Sequence, residues 1–217
     1  MTTILAVADE VDEAMYGSRL DGVHPSVIVG CGDLPADYLE YLQTRLNAPL
    51  VFVPGNHDPD LSPPADPIFP PSPQTSTLRD PPGPLGGINA DGRIVDVADL
   101  RIAGLGGSIR YREGPNQYTQ RQMGDRVRRL RRRAAWKRLR DGREVDMIVS
   151  HAPPFGIGDE PDDPAHVGVR ALVDLIERWR PCLLLHGHIH PYGVEREDRV
   201  LGDTTIMNVV PARLVRL

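Results

Sequence analysis

Residues 50–58 read LVFVPGNHD and residues 182–190 read CLLLHGHIH, two short apolar runs that each end in a glycine turn followed by side chains carrying lone pairs. Runs this short, without polar alternation, have the pattern of strands covered on both faces. Three further segments repeat the arrangement: ILAVA (4–8) leads into Asp9, VIVGC (27–31) into Gly32-Asp33, and MIVS (147–150) into His151. Helices are predicted between them at 35–47 and 168–180. In the second, Val169, Leu172, Val173 and Ile176 follow the spacing of a helix packed on a sheet. Strand and helix alternation predicts an α/β layered fold. Residues 93–107, turning at Ala98-Asp99, and 193–209 read instead as antiparallel hairpins. The expected architecture is therefore a pair of sheets flanked by helices.

The 217 residues suit one domain spanning 1–217, large enough to bury roughly 70% of the surface of the unfolded chain. Ten of the 22 prolines fall in 59–84, a stretch with no helical or strand period, which reads as a disordered segment or as the rim of a site. No apolar run approaches the ~20 residues of a membrane span, so no transmembrane segment is expected. The start, MTTILAVADEVDE, lacks a basic leader and reads as a first strand, which makes the cytoplasm the expected location. Cys31 and Cys182 form no CxxC pair and are expected to be buried fillers.

Net charge is −5, but residues 126–143 alone carry ten Arg and Lys against Asp141, leaving −14 for the rest of the chain. Val127, Leu130 and Ala134 are at helical spacing, so an arginine-rich helix is predicted at about 126–140. Its exposed side is either a solvated face in a chain whose basic residues are almost all arginine, or a landing strip for a polyanion such as nucleic acid or a membrane surface.

Five apolar runs thus end in Asp9, Asp33, Asn56-His57-Asp58, His151, and His188 with His190. In open α/β sheets, ligand sites lie beyond the carboxyl ends of the strands. Each residue alone has an ordinary explanation as a turn, a cap or a satisfied histidine. GNHD and GHIH together, each directly after a strand, are hard to obtain from turn chemistry. Carboxylates, an amide oxygen and imidazoles without thiolate suit divalent first-row cations. A pair of these would clamp a phosphoryl group.

The set Asp9, GD (32–33), GNHD (55–58), His151 and GHIH (187–190) resembles the pattern of the calcineurin-like metallophosphoesterase superfamily. The resemblance implies a four-layer αββα sandwich and two divalent metal ions (Mn, Fe, Zn, Co, Ni or Mg). It implies Asn56, His151 and His188 around one metal, Asp33 bridging, and Asp9 with His190 around the other. His57 would be the general acid or phosphoryl clamp, with Asp58 orienting its ring. The implied reaction is hydrolysis of a phosphodiester or phosphomonoester, on a small phosphoester substrate, by attack of metal-bound hydroxide.

The chain departs from the pattern at Val11, where the superfamily has histidine, so the Asp9/His190 site is expected to be the weaker, completed by water or by Glu10 or Asp12. Two other readings remain: a binding scaffold of the same fold with weakened catalysis, and a nuclease using the arginine-rich helix. Arg110, in the loop after strand 93–107, is a candidate phosphate partner. Asn208 is a candidate supporting hydrogen-bond donor, and His186 is expected in the core.

Overall fold

The computed structural model describes residues 2–61, 83–193 and 197–217. Most of the proline-rich 59–84 stretch lies outside the described residues, as does the start of the 193–209 hairpin.

One sheet comprises β1 (Thr3–Val7), β2 (Val27–Gly30), β3 (Leu50–Phe52), β4 (Ile88–Asn89) and β13 (Ala212–Arg216), in the order β13-β1-β2-β3-β4. The other comprises β5 (Ile94–Val97), β6 (Leu100–Leu105), β9 (Met147–Ser150), β10 (Leu183–His186), β11 (Arg199–Leu201) and β12 (Thr204–Asn208), in the order β11-β12-β10-β9-β6-β5. Short strands β7 (Ser108–Ile109) and β8 (Gln117–Tyr118) pair beside them. Strands β1 to β4 run parallel, as do β6, β9, β10 and β12, while β13, β5 and β11 are antiparallel to their neighbours.

Three apolar layers hold these sheets. Ile4, Val29 and Val51 from the first sheet meet Ile102, Met147 and Leu185 from the second in an inter-sheet core. On the outside of the first sheet, Tyr38, Leu39 and Leu42 of α1 (Ala36–Leu46) cover Ile28 and Leu50. On the outside of the second, α2 (Gln120–Asp141) and α3 (Arg170–Trp179) supply Met123, Val127, Leu130, Leu172, Leu175 and Ile176. This is the sheet pair flanked by helices expected from the strand patterns, and the αββα sandwich that the resemblance implied. In α3 the buried stripe runs through Leu175, with Val173 only half-buried. The hairpin turn falls where expected, with Ala98 and Asp99 both at positive φ (51° and 63°), the geometry that matches the twist of the flanking strands.

Helix α2 starts six residues before the predicted 126. Its Thr119 hydroxyl accepts from Gln122 N while the Gln122 side chain accepts from Thr119 N, a reciprocal cap that satisfies two otherwise unpaired donors. Arg126, on the inner face, makes a bidentate pair with Asp91 (2.5 and 2.6 Å) and stacks on Tyr118. Arg101, 1% exposed, is held by Asp96, Asp141 and the Arg143 carbonyl. Of the two cysteines, both free, Cys31 is buried as expected but Cys182 is exposed. Cys182 opens the approach to β10 rather than lying within it. Among the described residues, no helix is long and apolar enough to cross a membrane.

Candidate metal centre

Parallel pairing in register brings the carboxyl ends of the strands to a common edge: Val7 lies beside Gly30, Gly30 beside Phe52, and Leu105 beside Ser150. Asp9, Asp33 and His188 then leave this edge in left-handed backbone (φ 59°, 57° and 69°), a conformation disfavoured for residues with a Cβ and concentrated at functional sites. The glycines of the motifs are there for close approach. A Cβ at Gly55 would overlap the Asp33 carboxylate, and one at Gly187 the Asp9 carboxylate.

Asp9, Asp33 and His151 place ligand atoms within 4.8 Å of one another. His151 Nδ1 meets the Cys31 carbonyl at 2.8 Å, so Nε2 faces Asn56 Oδ1 at 2.8 Å and Asp33 Oδ2 at 3.3 Å. The His188 ring stands 4.8 Å from that of His151, and its Nε2 meets the Ala165 carbonyl at 2.8 Å, which leaves Nδ1 as its lone-pair nitrogen. Backbone carbonyls on the outer nitrogens are what orients metal-binding histidines. His190 Nε2 is 4.0 Å from Asp9 Oδ1, and its Nδ1 is 2.7 Å from Glu10 Oε1.

The electrostatics ask for positive charge. Neither Asp9 nor Asp33 pairs with Lys or Arg among the described residues. Burial pushes the Asp9 carboxyl above its ordinary value, against the pull of His151. Burial works the same way on Asp33, but the hydrogen bond and charge of His151 outweigh it and hold that carboxyl low. Burial also disfavours a charged His151, yet Asp33 and Asp9 raise it to about 9. Burial and the neighbouring His151 bring His188 down to about 3. Two buried carboxylates, an amide oxygen and two imidazoles around one point form a donor set that fits a divalent cation.

His57 is exposed at the rim. Asp58, expected to orient its ring, does something else: Oδ2 accepts the backbone N–H groups of Gly55 (2.7 Å) and Asp33 (3.0 Å). In return Asp33 Oδ1 accepts from His57 N and Asp58 N. The two carboxylates thus lock the GD and GNHD loops together. The group on the His57 ring is Arg112, with Nη2 2.8 Å from Nδ1. Arg110, the candidate phosphate partner, is spent on the Gln117 carbonyl.

The loop carrying Arg112 touches the centre twice more. The Tyr111 hydroxyl accepts from Asn56 Nδ2 at 3.2 Å, and Asn116 Nδ2 donates to the carbonyls of Asp58 and Pro59. Sequence reasoning pointed to this loop, with Arg110 and Arg112, as one that could reach the site, but singled out Arg110 rather than Arg112 and missed Tyr111. It also missed the 159–168 loop that brings Ala165 and His166 to His188, His166 lying edge-on at 5.4 Å. Asn208 does support the site: its Nδ2 donates to the Ile189 carbonyl between the two histidines, at 2.6 Å. His186 is buried as expected. Asp12 is not available as a ligand, because it caps Ala14 N and pairs with Arg19.

A family model described as calcineurin-like phosphoesterase matches residues 15–192. That span takes in Asp33, Asn56, His57, His151, His188 and His190 and begins after Asp9. Solved structures of the same fold include TT1561 of Thermus thermophilus, 18% identical with TM-score 0.60 over 96% of this chain and 88% of that one. A second crystal structure is 14% identical, with TM-score 0.58 over 95% and 89% of the two chains. At such identities the likeness is one of fold alone. No curated protein matches.

Proposed function

The chain belongs to the calcineurin-like phosphoesterase family, and from that premise we propose that it hydrolyses a phosphodiester or phosphomonoester at a dinuclear centre of divalent cations. The observation that carries this reading is the convergence of Asp9, Asp33 and His151 ligand atoms within 4.8 Å. Asn56, His151, His188 and Asp33 would hold one cation, and Asp9, His190 and Asp33 the other. When bound, the cations supply Lewis acidity toward phosphoryl oxygens and acidify water. Ligands come from both sheets, so we read residues 1–217 as one domain. Two free thiols suit a reducing compartment, and we place the protein in the cytoplasm.

The remaining chemistry falls to side chains. A guanidinium only donates, so His57 accepts from Arg112 at Nδ1 and keeps its proton on Nε2. That proton is available to a leaving oxygen or a phosphoryl oxygen. Arg112, exposed and without an acidic partner among the described residues, adds charge where a phosphoryl group would sit. Asp58 acts indirectly, holding Asp33 and Gly55 in place.

The test is turnover of an aryl phosphodiester by the purified protein with added Mn²⁺, lost in Asn56→Ala and His57→Ala. No turnover of mono-, di- or polyphosphate esters with Mn²⁺, Mg²⁺, Co²⁺, Ni²⁺ or Zn²⁺ would overturn the proposal. The scaffold reading predicts instead a large gain of activity in Val11→His.

One observation favours nucleic acid as the substrate. A groove of about 940 Å³ between α2 and α3 is lined by Arg128, Arg129, Arg131, Arg132 and Arg178, with Trp179. Asp125 takes Arg128, while Arg129, Arg131, Arg132 and Arg178 have no acidic partner among the described residues. Retention on single-stranded DNA that falls steeply with salt and disappears on charge reversal within 128–133, together with metal-dependent cleavage of that DNA, would support this second reading over a small-molecule substrate.

A further inference from the structure

We infer that Glu10 serves the Asp9/His190 metal position in place of the missing imidazole, by fixing the orientation and tautomer of His190. The inference rests on the reading of Asp9 and His190 as ligands.

Beyond β1 the chain turns sharply: Asp9 is left-handed and Glu10 N donates to the Ala8 carbonyl at 2.6 Å. The turn separates the fates of three neighbours. Val11 packs into the apolar layer that contains Leu34, Tyr38 and Leu39. Asp12 caps the 3₁₀ turn Glu13–Tyr16 and pairs with Arg19. Glu10 reaches His190, with Oε1 2.7 Å from Nδ1, a contact between residues 180 apart in sequence.

That contact determines which nitrogen can bind a cation. A carboxylate on Nδ1 accepts its N–H, so the lone pair lies on Nε2. Nε2 is 4.0 Å from Asp9 Oδ1. Two donors on one cation, with bonds of ~2.0–2.2 Å, stand no more than ~4.4 Å apart, so both can hold the same ion. Backbone placement of His190 is already provided by Asn208, which donates to Ile189 O, and by Ile189 N, which donates to Gly187 O. Its ring, partly exposed, is held at Nδ1 by the Glu10 carboxylate. The chain has therefore lost a ligand at position 11 and strengthened another through position 10.

The test is titration of the full-length, metal-stripped protein with Mn²⁺, reading stoichiometry and both affinities by calorimetry and the spin-coupled dinuclear signal by electron paramagnetic resonance. Glu10→Ala is expected to weaken the second site about 10–100-fold, abolish the coupled signal at limiting Mn²⁺, and leave the first site unchanged. Glu10→Gln keeps an oxygen acceptor for Nδ1–H and is expected to restore most of the second-site affinity. Unchanged second-site affinity in Glu10→Ala would overturn the inference, as would a Glu10→Gln loss as large as that of Glu10→Ala, which would make Glu10 a direct ligand. Equal melting temperatures of the metal-free variants would exclude misfolding, since Glu10 is half-exposed. If the wild type binds fewer than two cations, or Asp9→Asn and His190→Ala leave both sites intact, the underlying two-site reading fails instead.

Discussion

Replacing Asp58 by alanine separates two accounts of a residue that sits next to the candidate acid His57. One Asp58 oxygen accepts both Gly55 N–H and Asp33 N–H, at 2.7 and 3.0 Å, and Asp33 reciprocates through His57 N and Asp58 N. Hydrogen bonds to a charged acceptor contribute about 1.5–3 kcal/mol each. Burial holds the Asp58 carboxyl above its ordinary value, so its charge is not fully favourable, and water can reach part of the gap. The expected loss is therefore about 2–4 kcal/mol rather than the sum of two full bonds, or roughly 5–15 °C in melting temperature for a chain of this size. The Asp58→Asn protein retains an acceptor for both donors at about half the strength and should lose roughly half as much.

The assay is thermal and urea unfolding of metal-free protein, followed by Mn²⁺ titration. Because the brace fixes Asp33, affinity at the Asn56/His151 site should fall together with stability. A ring-orienting aspartate would behave otherwise: its removal would reshape the pH profile of kcat and leave the melting curve almost untouched. An Asp58→Ala protein within about 0.5 kcal/mol of wild type would refute the brace.

Arg112→Ala is expected to lower kcat/KM about 10–100-fold, a loss of roughly 1.4–2.7 kcal/mol, with partial recovery in Arg112→Lys, measured by steady-state kinetics on a phosphodiester. Gly187→Ala should displace the Asp9 carboxylate and remove one equivalent of bound metal by elemental analysis while the other remains. Arg101→Met removes a buried guanidinium from carboxylates that are 37% and 43% exposed, so water compensates part of the loss and the cost should be about 1–3 kcal/mol at neutral pH, read by urea unfolding. The hydrogen bond from Arg101 holds Asp96 below 3.8, so its contribution is fully present above that pH and is lost as pH falls through the lowered folded value. Wild type and Arg101→Met should therefore converge in stability under acid, and a constant gap from pH 7 to pH 2 would count against the linkage.

Strand identity was legible because burial on both faces writes itself into composition: MIVS is β9 residue for residue, and VIVGC overlaps β2 at all four of its residues. The positions of Asp9, Asp33, Asn56, His151 and His188 followed because a strand end is also a place in space. What stayed hidden was side-chain partnership across long separations. Nothing local in DEVDE says that Glu10 meets His190, nor in RYREG that Arg112 rather than Arg110 turns toward His57. The early start of α2 was readable, since Thr119 and Gln122 have the spacing of a capping box, but the arginine run that follows drew attention to a later boundary.

Three of the candidate ligands hold left-handed backbone, at a cost of about 1–3 kcal/mol each, and protein groups keep them there: Asp33 Oδ1 by two backbone donors, Asp9 Oδ2 by His188 N. These hydrogen bonds give the polypeptide its own share in holding the ligands, whereas in a zinc finger the ion supplies most of the folding free energy. Cations bound to the folded state add to its stability, so chelation should lower the melting temperature while leaving far-ultraviolet dichroism at low temperature nearly as it was. Which ions occupy such a site depends on the free pool around the protein and on how fast each can leave.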